Sequence, residues 1–498
     1  MNYPVWQLGF PGGLLIATVA VLHVFVSHFA VGGGAYLVLT ERRSYRHNDS
    51  DLLAYVKRHS KFFALLTVVF GAVTGVGIWF TIGLVSPEAT SSLIHTFVWG
   101  WAIEWVFFFV EIAAALIYTY SWERLDRHTH LVIGWIYFIA AWASLAVING
   151  IITYMLTPGR WLQTRGFWAG FFNPTYLPSL LMRSATAAAL AGMFGLVTAL
   201  RTSSPVRERI VRWAGAWLAI GLVLLPPLGW WYYAKFPGFA HEHFAEIPAA
   251  RHAVLWGVIC VAVAVLLALA FALSKPRRMN PAVVGVLLIC GLAGMGSGEY
   301  LREFGRKPYV INGYIYANDM RVSEVERIDT QGVAQISPWA AAAAADPVRY
   351  GRDLFQTECA SCHSVSGYRA MRSRVRGWDE TFAREILLHL PLTRGTMPPF
   401  AGDEQDRIAL GRYLASLAPA TITGANEMEV GRHVFEMRCA LCHTLRGKRR
   451  PLDFGGMDAD TVTDFTRSLS DLSPNMPPFT GTETERHALV VYLRGAGK

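Results

Sequence analysis

Two five-residue stretches carry the plainest chemistry in the chain: Cys359-Ala360-Ser361-Cys362-His363 and Cys439-Ala440-Leu441-Cys442-His443. Two thiols three residues apart, followed at once by an imidazole, can bond a haem through both sulfurs and offer a ring nitrogen to its iron. This is the pattern of c-type haem attachment. A zinc half-site is the alternative for a single copy, but the surrounding segment is a repeat. Gly351-Arg352-x-x-Phe355-x-x-x-Cys359-Ala360 recurs 80 residues later as Gly431-Arg432-x-x-Phe435-x-x-x-Cys439-Ala440. Met397-Pro398-Pro399-Phe400 recurs 79 residues later as Met476-Pro477-Pro478-Phe479, and Arg407, Leu410, Tyr413 and Leu414 recur as Arg486, Leu489, Tyr492 and Leu493. Met371, Met428, Met437 and Met457 lie nearby, and none of them repeats. The remaining cysteines, Cys260 and Cys290, sit in apolar runs and read as small buried hydrophobes. No disulfide framework is implied.

A second set of reactive groups lies where charge is expensive. Long apolar runs before Leu301 contain His23 and His28, Glu104 and Glu111, and then Glu299, Arg302, Glu303 and Arg306. Ionisable residues inside a membrane span point to function by default. Histidine is the usual iron ligand of a haem, and a carboxylate serves in unusual sites.

The elements that must position these groups are membrane helices. Eight spans of about twenty residues or more, at about 10–40, 62–85, 94–121, 131–156, 180–200, 210–233, 252–273 and 281–301, are long enough to cross a bilayer. Pro4 and the lack of a small-residue cleavage site argue against a removed signal peptide. Lys and Arg crowd the loop from Glu41 to Lys61 and the other loops of that side, against Arg160, Arg165, Lys235 and Arg251 opposite. The crowded side is therefore expected to be cytoplasmic. An even number of spans then places the cytochrome-like repeat outside, where haem c is attached. His23 and Glu104 each lie roughly 15 Å deep at ~1.5 Å per residue, so they can flank one buried cofactor. His28 and Glu111 sit lower, toward proton uptake. Met182, His252 and Glu303 lie near the outer ends of their spans.

The net charge of +9 is no nucleic-acid signal. From Asp346 onward 20 basic residues face 19 acidic ones, a net of +1, which leaves +8 for the membrane half, where it has topological meaning. Arg369–Arg376 and Arg446–Arg450 are locally basic and read as solvated faces, with steering of an acidic partner the alternative.

Each repeat resembles a class I cytochrome c domain. The resemblance implies thioethers from Cys359, Cys362, Cys439 and Cys442, proximal His363 and His443, and distal Met397 and Met476. Such His/Met iron suits electron transfer. The membrane half, over about residues 10–315, resembles subunit I of the cytochrome bd oxygen reductase superfamily. The likeness rests on Ala20-Val21-Leu22-His23, Ala102-Ile103-Glu104 with Glu111, and Asn149-Gly150. The longest match is Gly298-Glu299-Tyr300-Leu301-Arg302-Glu303-Phe304-Gly305-Arg306-Lys307-Pro308-Tyr309, which is similar to the family's Gly-Trp-x-x-x-Glu-x-Gly-Arg-Gln-Pro-Trp. It implies that His23 and Glu303 are iron ligands of a high-spin haem pair, with Arg306 binding cofactor. Glu104 would lie against the active-site haem and Glu111 on a proton path.

Departures from the family shift the reading. Glu104 and Glu111 are seven apart, against the usual eight. Where the family's low-spin haem b takes a His from span 5 and a Met from span 7, this chain has Met182 and His252, either a swapped pair or, if this haem is absent, a packing residue and an interfacial one. The loop of about Ala234–Arg251 is too short for the family's quinol-binding loop, and the ninth span is replaced by the repeat.

The fold class expected is all-α: an eight-helix transmembrane bundle at 1–315, a linker at 316–347 that includes Ala340–Ala345, and two small helical cytochrome c domains at 348–422 and 423–498. The first functional reading is a membrane terminal oxidase in the bacterial cytoplasmic membrane. Electrons from a periplasmic c-type carrier would pass through two covalent haem c groups to two or three b- or d-type haems that reduce oxygen to water. A second membrane subunit, like subunit II of the family, is the expected partner. The alternative is a b/c-haem relay subunit that does not itself reduce oxygen.

Overall fold

The computed structural model describes residues 6, 8–202, 206–337, 346–368, 370–394, 396–445 and 450–496. Pro4, Ala340–Ala345, Arg369 and residues 446–449 of the basic stretches lie outside the described residues. Among the described residues, eight helices are long and apolar enough to cross a membrane: α1 (Gly12–Arg46), α2 (Ser50–Val85), α3 (Val98–Tyr120), α4 (Arg127–Tyr154), α5 (Tyr176–Ala199), α6 (Val206–Ala234), α7 (Pro248–Ser274) and α8 (Pro281–Arg306). The second begins a dozen residues before the expected span. Asp49 caps it by accepting from Leu52 N at 3.0 Å, which lets the amphipathic stretch 50–61 continue as helix.

Two compact units emerge. One holds residues 16–83 and 90–306, the other the chain up to Leu15, residues 84–89 and everything from Lys307. In the membrane unit, α5 and α6 pack closely along their length. A Cβ at Gly192 would stand 2.4 Å from the Ala214 carbonyl oxygen, and one at Gly221 would stand 2.5 Å from that of Ala185. Lipid gives helices no hydrophobic reason to associate, so small residues that let backbones approach do that work. Phe29, Tyr36, Met193, Leu218 and Leu287 fill the core around this pair.

The other unit is two copies of one helical domain. In the first, α9 (Pro347–Glu358) crosses α10 (Glu404–Ser416); in the second, α11 (Glu427–Val434) crosses α12 (Glu483–Ala496). The repeated residues build the crossing. A Cβ at Gly351 would lie 2.0 Å from the Ala409 carbonyl oxygen, and one at Gly431 would lie 2.0 Å from that of Ala488. Phe355 packs on Tyr413 and Phe435 on Tyr492, each with ring centroids 5.8 Å apart.

The stretch that follows α8, including part of the expected linker, carries structure of its own. Tyr309–Ile311 and Ile315–Tyr316 form an antiparallel ribbon, and Met320, Ile328 and Val333 are buried in the first domain's core. Asp319 accepts from Ser86 Oγ at 2.5 Å and from the backbone N–H groups of Glu88 and Ala89 at 3.0 and 3.3 Å, while Arg321 pairs with Glu88.

Candidate functional site

The two Cys-x-x-Cys-His segments take one geometry twice. In the first, the N–H groups of Cys362 and His363 donate to the Cys359 carbonyl at 3.1 and 2.9 Å; in the second, those of Cys442 and His443 donate to Cys439 at the same distances. Neither cysteine pair is a disulfide. His443 Nδ1–H donates to the Arg450 carbonyl at 3.1 Å, which fixes the tautomer that leaves Nε2 as the metal-binding nitrogen. Met397 and Met476 sit in matching bends ahead of the last helix of each domain, both half-buried. These donor sets fit haem c.

In the membrane unit, α3 and α4 run antiparallel and meet in three polar tiers, seven residues apart on each helix. Ser144 Oγ donates to Glu104 Oε1 at 3.1 Å. Tyr137 OH donates to Glu111 Oε1 at 3.2 Å. Tyr118 OH donates to Glu41 Oε2 at 2.8 Å, and His130 Nδ1 stands 2.8 Å from Glu41 Oε1. Seven residues advance a helix about 10 Å, so one face of α3 and one of α4 carry a polar contact every two turns. The lowest tier, at the Lys/Arg-rich end, is closed: the Glu41 and His130 side chains are 0% and 2% exposed. A buried polar pair persists only when its atoms have hydrogen-bond partners, and His130 Nε2 also meets the Tyr118 carbonyl at 2.9 Å.

A different arrangement occupies α5 to α8. They line a cavity of about 790 Å³, within the range that takes a cofactor-sized ligand. Met182 and Met193 line it together with His28, Pro226 and Trp230, and Phe236 and Phe244 from the short α6–α7 connection also line it. One wall is charged. Arg302 Nε donates to Glu299 Oε2 at 2.8 Å, and Arg183 Nη2 lies 3.6 Å from Glu299 Oε1. Asn149 holds this wall through Ser179, which donates to its Oδ1 at 2.7 Å and accepts from Arg183 Nε at 3.3 Å. An apolar slot with thioethers and a cationic edge fits a haem and its propionates.

Residues 14–234 match the family model for cytochrome bd terminal oxidase subunit I, and residues 346–414 and 426–493 each match the model for the cbb3-type cytochrome c oxidase subunit III. The chain joins a cytochrome bd subunit I domain to two cytochrome c domains. A solved structure, the bd oxidase from Geobacillus thermodenitrificans, superposes with a TM-score of 0.52 at 17% identity, over 61% of this chain and 88% of that one. That likeness shows the shared fold. No curated protein matches the chain. The bd-type domain and its cytochrome c partners make this a multi-pass membrane protein that binds haem and acts as an oxidoreductase in electron transfer.

Within the bd-type domain, the expected site residues are not all gathered. His23, half-buried on α1, has Nδ1 3.1 Å from Thr74 Oγ1 on α2. Glu303 pairs with Arg306 one turn on, and Arg306 Nη1 reaches Met155 Sδ at 3.3 Å. Met182 lines the α5–α8 cavity. His252 is exposed and is not among the residues lining it, so the proposed Met182/His252 pair does not come together there. Its place at the first turn of α7 turns it outward. His28, expected to sit lower toward proton uptake, instead lines this cavity, its Nδ1 2.7 Å from the Val24 carbonyl oxygen.

Several groups escaped sequence reasoning. Arg183 looked like an ordinary span residue next to Met182. Glu41 and His130 looked like loop charges at span ends, and only the periodicity 130, 137, 144 against 118, 111, 104 could have paired them. Arg438, beside Cys439, donates to the Gly377 carbonyl of the preceding domain at 2.9 and 2.6 Å from Nε and Nη2.

Proposed function

We propose that the chain is an oxygen reductase subunit fed by a c-type carrier from outside the membrane. The observation that carries this reading is the tiered α3–α4 face. Reducing oxygen to water consumes protons, and an electron relay does not. Glu41 with His130 would close the face at the Lys/Arg-rich side, which positive-inside asymmetry makes cytoplasmic. Glu111 with Tyr137, then Glu104 with Ser144, would hold a proton at successive depths. Each carboxylate has a hydroxyl partner that keeps it oriented in an apolar surround.

Haem bound in this domain supplies redox-active iron and the place where oxygen binds. His23 and Glu303 are the residues proposed to hold the high-spin pair, with Arg306 orienting Glu303. Met182 is proposed to face a low-spin haem in the α5–α8 cavity, with Arg183 and Arg302 taking its propionates. Cys359, Cys362 and His363, and Cys439, Cys442 and His443, would hold two haem c groups, with Met397 and Met476 as distal ligands. The α6–α7 connection beside the cavity is a single short helix, Gly238–Glu246, rather than a long loop that could take a quinol. Electrons would instead arrive through the c-haems. A second membrane subunit would cover apolar faces such as that of Trp99, Trp105 and Phe109 on α3, all exposed here.

The test is oxygen consumption by the purified complex with a reduced soluble cytochrome c as donor. Steady oxygen uptake is expected, which Glu111→Gln suppresses while c-haem reduction by the donor continues. Donor oxidation with no oxygen uptake in the unmodified protein would instead establish the relay.

A further inference from the structure

At the Lys/Arg-rich end of the bundle, a second cavity of about 440 Å³ opens between the end of α1 and the start of α6. Its floor is apolar, with Leu52 and Ile210 buried and Trp213 half-buried. Its rim is cationic: Arg43, His47, Arg209 and Arg212, against one lining carboxylate, Asp49. That carboxylate is already engaged. It caps α2 through Leu52 N and pairs with Arg209 Nη1 at 2.8 Å. Arg43, His47 and Arg212 meet no carboxylate among the described residues. The Arg43 guanidinium lies 4.8 Å from the centroid of the Trp213 ring, and Trp213 Nε1 donates to Thr40 Oγ1 at 2.9 Å. Cation and ring are thus held in place without a ligand, which lowers the ordering cost of binding one.

Uncompensated arginines above an apolar floor, at the level where a helix bundle meets lipid headgroups, match an amphiphilic anion. We propose that this cavity binds the phosphodiester headgroup of an anionic phospholipid from the leaflet on that side. Basic pockets between transmembrane helices recognise headgroup phosphates through this combination of charge and adjoining hydrocarbon. Free phosphate shares the anionic chemistry but has nothing to bury on Leu52, Ile210 and Trp213. The proposal is independent of which acceptor the bd-type domain uses.

The experiment is native mass spectrometry of the full-length, haem-loaded protein after exchange with phosphatidylcholine vesicles containing phosphatidylglycerol. Preferential retention of phosphatidylglycerol is expected. In R43Q/R212Q that preference should fall about thirtyfold, as two surface cations are lost. R43K/R212K should keep most of it, and unchanged haem spectra in both variants show that the fold survives. Equal retention of the two lipids by the unmodified protein, or undiminished preference in R43Q/R212Q, overturns the site. Displacement of the lipid by inorganic phosphate alone overturns the lipid as its occupant.

Discussion

In the cytochrome c repeat, the cysteines and histidine that would attach a haem lie within five residues and use one turn twice, with the same two hydrogen-bond lengths. In the membrane unit, the lowest polar tier needs Glu41 from α1, Tyr118 from α3 and His130 from α4. The first design is local and survives changes elsewhere in its domain. The second is cooperative, because removing one partner strands another in an apolar interior. A residue that does not follow the repeat makes the same point in reverse. Position 358 is a buried glutamate that accepts from Ala401 N within its own domain, whereas its counterpart Arg438 reaches across to the neighbouring domain. Burial pushes the Glu358 carboxyl well above its usual range, while Arg438 stays paired with Glu485 at 3.8 Å. Repetition builds the two domains, and a break in it joins them.

Breaking the local design should have the largest effect. Cys439→Ala with Cys442→Ala is expected to cut covalent haem from two per chain to one and to bring donor-driven turnover to background, read by haemochrome spectra and oxygen uptake. The other copy's haem should stay spectrally unchanged. In the cooperative design, Glu111→Gln is expected to lower oxygen uptake by about a hundredfold, the scale of losing a proton-transfer group. Tyr137→Phe should cost less, because the carboxyl itself remains.

Stability sharpens the contrast further. His130→Ala leaves one Glu41 carboxyl oxygen buried without its hydrogen-bond partner, a loss of about 3 kcal/mol. Thermal unfolding of the membrane unit should reveal it while the c-haem domains keep their melting temperature.

The smallest expected effect is a pH dependence in the outer unit. Burial pushes the Asp319 carboxyl up to about 6, against three hydrogen bonds that favour its ionised form. Its folded pKa lies above the unfolded value, so its contribution is fully present below about pH 4 and is lost as pH rises through about 6. Asp319→Asn should flatten the stability profile between those values by roughly 3 kcal/mol at most.

Much of this was legible in the residues. The two Cys-x-x-Cys-His motifs, the offsets of 80 and 79, and the eight apolar runs are local patterns, and local patterns survive being read along one strand of text. The all-α fold and its bd-type and cytochrome c parts followed from them. What the sequence hid is three-dimensional. The seven-residue spacing of Glu104, Glu111 and Tyr118 has meaning only once Ser144, Tyr137 and His130 descend antiparallel beside it. His252 was chosen for standing near the family's span 7 position, and nearness along the chain does not say which way a side chain points. The stretch after Arg306 reads as polar connector, yet Asp319 and Arg321 are committed to Ser86 and Glu88 more than two hundred residues earlier.

One spectrum bears most directly on the central claim. The purified, reduced complex exposed to carbon monoxide should show a CO-induced shift from an open membrane haem, with both c-haems unaffected. The shift should weaken in His23→Ala while the covalent haem content holds. A reduced spectrum of six-coordinate haems alone, unmoved by carbon monoxide, would contradict the oxygen reductase and leave the chain as a relay.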